Sequence, residues 1–184
     1  MDVLIGKLLI AIPDLGDPNF YRSVVLILMH GDEGATGLIL NRRSNATIRS
    51  VWDQVSDLDC ECEQFVQIGG PIEGPLMALH TSLAVAERQI LPGVFLTMNR
   101  DHLNQLVSQS EHDFLIFSGY SGWAPGQLEA EIESGGWLLC DGEFEHVFES
   151  DDEALWKLVC EHVGHDIMLP QFGQNRDLVD PGLN

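Results

Sequence analysis

Four of the nine basic residues in this chain, Arg22, Arg42, Arg43 and Arg49, fall in one short region, and their placement suggests anion chemistry. If Gly31-Asp32-Glu33-Gly34 turns a hairpin between two apolar runs, His30 pairs with Ala35, Val24 with Asn41 and Arg22 with Arg43. A slip of one residue puts Arg22 opposite Arg42 instead. Either register sets arginines across from each other, which is unfavourable unless carboxylates or a bound anion compensate. Asp14 or Asp17 could neutralise Arg22 within the preceding turn; the alternative is a site for a small anion or an acidic peptide. Further along, Tyr120, Trp123 and Gln127 flank a glycine-rich strand-to-helix turn, where the backbone can approach a ligand closely and helix amides can face an anion. The competing account has Trp123 packing the turn and Gln127 capping backbone groups. His30 and His80 each follow an apolar run, where a structural hydrogen bond or a general base would fit.

Other constellations fail on spacing. Glu129, Glu131 and Glu133 are two apart, and a helix sends such residues to different faces, so they read as a solvated surface and not as an acid/base pair. Gly119-Tyr120-Ser121-Gly122-Trp123 lacks the second glycine of a nucleophile elbow, which sets aside a serine hydrolase. Cys160, His162 and His165 cannot share one helical face, and Cys60-Glu61-Cys62 is not zinc spacing, so no metal site is expected. No Walker loop or dinucleotide fingerprint occurs, and no cofactor is expected.

The 184 residues fit one domain with a sizeable core. Twenty-nine acids against nine bases give a net charge of -20, and between Arg100 and Lys157 thirteen acids stand without one base. That field repels phosphate backbones and anionic lipids, so direct nucleic-acid binding is disfavoured. No apolar run approaches the roughly 18 to 20 residues that cross a bilayer, and the amino-terminal stretch lacks the pattern of a secretory signal. A cytoplasmic protein with free thiols at Cys60, Cys62, Cys140 and Cys160 is expected. No oligomeric state follows from the sequence.

The elements that must position these residues follow from periodicity and punctuation. Strands are predicted at 7–12, 21–29, 35–40, 65–68, 76–79, 93–97, 114–117 and 137–140, with Phe144 to Phe148 as a possible partner of the last. Helices are predicted over 47–55, over 101–108 behind an Asn99 cap, from Pro125 through Ile132, and from a Ser150/Glu153 capping box to a stop at Gly164. The expected organisation is a single domain over 1–164 and an extended or partly disordered tail over 165–184.

Four ordered blocks carry a family resemblance: Gly6-Lys-Leu-Leu-Ile-Ala-Ile-Pro13 with Asp17-Pro-Asn-Phe-Tyr-Arg-Ser-Val24; His30 with Gly34-Ala-Thr-Gly-Leu-Ile-Leu-Asn-Arg42; Gly69-Gly-Pro71 with Leu79-His80; and Gly119 through Ile132 followed by Trp137. Together they resemble the AlgH family, the YqgE-like proteins. Arg43 departs from the proline that often follows Asn-Arg there. The resemblance implies an α+β fold with a mixed, strongly bent sheet approaching a pseudo-barrel, flanked by about four helices. It brings a proposed role in regulating alginate biosynthesis genes, but no reaction, cofactor or ligand. The residues and the resemblance together point to a non-catalytic regulatory or adaptor module. Its cleft would join Arg22, His30, Asn41 and Arg42, with His80, to the Tyr120 to Gln127 turn and bind a small anion or a protein segment. The rival is a cofactor-independent hydrolase or phosphoryl-handling enzyme in the same groove, with His30 or His80 as base.

Overall fold

The apolar runs on either side of Gly31-Asp32-Glu33-Gly34 form the centre of a sheet in the computed structural model, which describes residues 4–13, 15–56, 60–108 and 111–173. The strands are β1 (Lys7–Ala11), β2 (Val24–Gly31), β3 (Gly34–Ile39), β4 (Arg43–Thr47), β5 (Phe65–Ile68), β6 (Met77–His80), β7 (Arg88–Leu91), β8 (Val94–Thr97), β9 (Phe114–Ser118), β10 (Ser121–Trp123) and β11 (Trp137–Asp141). The helices are α1 (Ile48–Val55), α2 (Arg100–Ser108), α3 (Gln127–Glu133), α4 (Phe144–Phe148) and α5 (Asp152–Gly173). Five strands form one sheet in the order β10-β3-β2-β1-β11, and six form a second in the order β4-β5-β9-β6-β8-β7. Every pairing is antiparallel except that of β5 with β9.

Both faces of the first sheet are buried, which is why its strands are apolar without alternation. Leu8, Ile10, Leu26 and Leu38 pack toward the second sheet and α5, while Leu9, Val25, Ile27 and Ile39 pack on the other side with Trp123, Trp137 and Leu128 of α3. Trp52 of α1 and Leu103 and Leu106 of α2 cover the far face of the second sheet through Ala78 and Ile116. The sheets join at one corner, where Ile39 N donates to Gly69 O and Gly69 N to Ser118 O, each at 2.9 Å. A Cβ at Gly69 would lie 2.4 Å from the Gly119 carbonyl oxygen, so only glycine lets the two backbones come this close.

The α+β class is as the resemblance implies. In place of one bent sheet nearing a barrel, the described residues form two sheets, no closed barrel, and five helices. The hairpin turn holds, with His30 opposite Ala35, but the register shifts between Ile27 and Met29, so Val25 faces Ile39 and Leu40 N donates to Val24 O. Phe144 to Phe148 is the helix α4 and not a strand: the Glu143 side chain accepts from the first turn while Glu143 N donates to His146 Nδ1 at 3.1 Å, closing a capping box. The Ser150 hydroxyl donates back to Glu145 O at 2.9 Å instead of capping α5. Gly164 does not stop α5, which makes residues 165–173 helical where an extended tail was expected; 174–184 lie outside the described residues.

Candidate functional site

Arg22 is the one non-glycine described residue with positive φ, at 51°. A long side chain in this left-handed region is disfavoured and persists only where surroundings enforce it. Two neighbours do so. Asn41 Oδ1 accepts from Val24 N and Asn41 Nδ2 donates to Arg22 O, both at 2.9 Å. Arg42 donates to Asn19 O and, at 3.3 Å, to Tyr21 O. Thus held, the Arg22 guanidinium lies 5.2 Å from the Tyr21 ring centroid and 5.3 Å from that of Trp156, whose indole N–H is fixed on Ala11 O at 2.8 Å. No carboxylate among the described residues pairs with Arg22. Asp17 accepts from Asn19 N, and Asp14 lies outside the described residues. The hollow over Arg22 is about 1150 Å³, and Asn41, Arg42, Arg43, Asp151, Asp152, Trp156 and Lys157 share its lining.

His30 and Tyr120 lie elsewhere. They line a separate hollow of about 560 Å³ at the turn end of the β2–β3 hairpin, together with Trp123 and Arg88. Six residue steps along β2 lead from Val24 to His30, so the two hollows stand about 20 Å apart at opposite ends of one hairpin. The single cleft expected from the sequence is therefore two. His30 Nε2 meets Glu129 Oε1 at 2.9 Å, and Leu4 N donates to its Nδ1 at 3.5 Å, so both ring nitrogens already have partners within the fold.

Trp123 and Gln127 are engaged internally. Trp123 Nε1 and Trp137 Nε1 donate to the same oxygen of Glu131, at 2.9 and 2.8 Å, and Gln127 Nε2 donates to its other oxygen at 2.9 Å. Gln127 Oε1 accepts from Ala124 N at 3.0 Å. Glu129 and Glu131 are thus each committed to a partner instead of forming a solvated face. His80 is 0% exposed and lines none of the hollows described here, and neither ring nitrogen has a hydrogen-bond partner among the described residues. Burial pushes its pKa below the ordinary histidine value, and the nearby Ser82 backbone opposes this only in part.

The sequence offered no sign of a third cleft, of about 760 Å³, where Arg43, Phe65, Gln67, Leu115 and Phe148 meet Cys62 and His112. Burial raises the Cys62 thiol pKa, so it stays protonated. The described residues contain no group of three or more His, Cys, Asp or Glu able to hold a metal.

Residues 8–168 match the sequence profile described as AlgH-like. The chain belongs to the AlgH-like family. Among AlgH-like relatives it is 37% identical to a UPF0301 protein of Myxococcus xanthus, over 95% of this chain and 98% of that one. A UPF0301 protein of Ruegeria pomeroyi is 36% identical, over 90% and 95% of the two chains. The solution structure of AlgH from Pseudomonas aeruginosa matches with a TM-score of 0.76 at 27% identity, covering 99% of this chain and 96% of that one. A crystal structure from Corynebacterium diphtheriae, at 22% identity and a TM-score of 0.71 over 88% of each chain, shares the fold. Within the AlgH-like fold seen here, α5 brings Trp156 and Lys157 to Arg22, two wall residues that no local motif announces.

Proposed function

We propose that this AlgH-like domain is a non-catalytic binding module of the regulatory or adaptor kind, holding an anionic group of a small molecule or protein segment over Arg22. The observation that carries this reading is the strained Arg22, its left-handed backbone gripped by Asn41 and Arg42 and its guanidinium flanked by two aromatic rings with no described carboxylate partner. Charge supports it. In a chain of net charge -20 with nine basic residues, four line this one hollow, against two acids, one of which already pairs with Arg43 at 2.8 Å. The arrangement offers anion capture, because four cationic side chains outnumber the two carboxylates of the lining. Any regulatory effect would pass through a partner, since the overall field opposes contact with duplex.

Isothermal titration with inorganic phosphate and pyrophosphate, repeated with an acidic peptide, tests the reading. Pyrophosphate or the peptide should bind, weaken as salt rises, and lose roughly tenfold or more in affinity in Arg22→Gln. Binding that is unchanged in Arg22→Gln, or absent for all three probes at millimolar concentration, sinks the reading.

A further inference from the structure

We propose that the cleft over Gln67 is a second half of the same site and takes the planar, N–H-bearing end of a nucleoside phosphate whose anionic end lies on Arg22, Arg42 and Lys157. The inference rests on the anion reading of the Arg22 hollow and adds the class of molecule. Gln67 on β5 is only 4% exposed, and its Oε1 has no hydrogen-bond partner among the described residues. Enclosed polar atoms in folded proteins nearly always find a donor, so an orphan at the floor of a cleft calls for an inserted group to supply one. The residue could have been apolar at no loss to the sheet, because β5 is bonded through its backbone and its other face already carries Val66 into the core.

The walls specify what that group is attached to. Phe65, 40% exposed, and Phe148 present aromatic surface beside Leu115. Such walls take a flat ring, and a carboxamide offers the paired donor and acceptor that read the edge of a nucleobase. The cleft, about 760 Å³, lies within the range of about 300–1,000 Å³ usual for small-molecule sites. Arg43 stands between the two hollows: it lines both, lies 5.6 Å from the Phe65 ring centroid and pairs with Asp152 on the Arg22 side. A ligand crossing it meets flat aromatic and hydrogen-bonding surface at one end, where Glu61 and Asp113 also line the cleft, and guanidinium and ammonium groups at the other. An extended acidic peptide would satisfy the charged end, but lying along the surface it would leave the floor acceptor unpaired.

Titration of the full chain with adenosine diphosphate, guanosine diphosphate, pyrophosphate and adenosine decides the matter. At least one nucleoside diphosphate should bind roughly tenfold or more tightly than pyrophosphate. Gln67→Met should cancel that advantage while leaving pyrophosphate affinity as it was, and Phe65→Leu should reduce it if the Gln67 variant fails to fold. Arg22→Gln should weaken diphosphates and pyrophosphate together. Equal affinities for pyrophosphate and both diphosphates, or a diphosphate advantage that survives Gln67→Met, overturn this inference and leave the anion site standing. An acidic peptide whose binding depends on Phe65 and excludes pyrophosphate overturns it in favour of a protein partner. Failure of every anion to bind removes both readings.

Discussion

Replacing Glu131 tests the arrangement on which the α3 side of the molecule depends. One of its oxygens accepts two indole N–H groups, from Trp123 at 2.9 Å and Trp137 at 2.8 Å, and both tryptophans are 5% exposed or less. In Glu131→Ala both indoles lose this acceptor beneath the stack of Phe20, Trp123 and Trp137, whose centroids lie 5.3 to 6.0 Å apart. Hydrogen bonds to a charged acceptor contribute about 1.5–3 kcal/mol each, so the two together should cost about 3–6 kcal/mol. For a chain of this size that is a fall of roughly 6–24 °C in Tm. Glu131→Gln retains the shape and one acceptor oxygen and should cost about 1–2 kcal/mol. Urea denaturation gives the energies, and hydrogen exchange at the four indole N–H groups gives the location. Exchange should accelerate at Trp123 and Trp137 and not at Trp52 or Trp156, which donate to Asn104 Oδ1 and Ala11 O. A loss below about 1 kcal/mol, or equal acceleration at all four indoles, would refute the reasoning.

Gly34 has φ 109°, and a Cβ there would sit 2.2 Å from the Trp123 carbonyl oxygen, so Gly34→Ala should cost about 3 kcal/mol or more in a thermal melt and loosen β10 in amide exchange. Asn41→Ala removes both bonds that hold the Arg22 turn and should lower the urea midpoint by an amount equivalent to about 2 kcal/mol, with the slope unchanged. Burial depresses the folded-state pKa of His80 and His146 below 6.5, so the unfolded chain takes up protons that the folded chain refuses. Stability from these two is therefore complete above about pH 6.5 and falls on acidification toward the depressed values, by at most about 1.4 kcal/mol per pH unit for each. Urea midpoints at pH 7.5 and 5.5 read this directly, and His80→Leu should reduce the difference.

Local rules recovered what local residues decide. The helix expected over 47–55 forms as α1, Asn99 caps α2 by accepting from Asp101 N, and the Gly31 to Gly34 turn pairs His30 with Ala35. The hairpin register failed further out because one extra residue near Leu28 shifts the ladder, and no composition marks that bulge. Phe144, Val147 and Phe148 are spaced three and four apart, a helical interval, but five residues are too few to separate it from a strand without recognising His146 as half of a capping box. At the site, the Arg22 cluster was visible as an electrostatic conflict in sequence. Its resolution was not visible, because Trp156 and Lys157 reach it from α5. The two-apart rule correctly sent Glu129 and Glu131 to different faces, yet one face carries His30 and the other two indoles, partners supplied by strands distant in the chain.

The bond from Trp156 to Ala11 spans 145 positions. A chain emerging from the ribosome therefore presents the Tyr21-Arg22 turn well before the indole and the Lys157 ammonium that complete the hollow over it. Until then β1 also lacks its neighbour β11, so the turn stands on a sheet with an open edge. Tight capture of an anion at Arg22 would thus mark a chain whose synthesis has passed residue 157, and the same occupancy would fasten α5 onto the strands translated first.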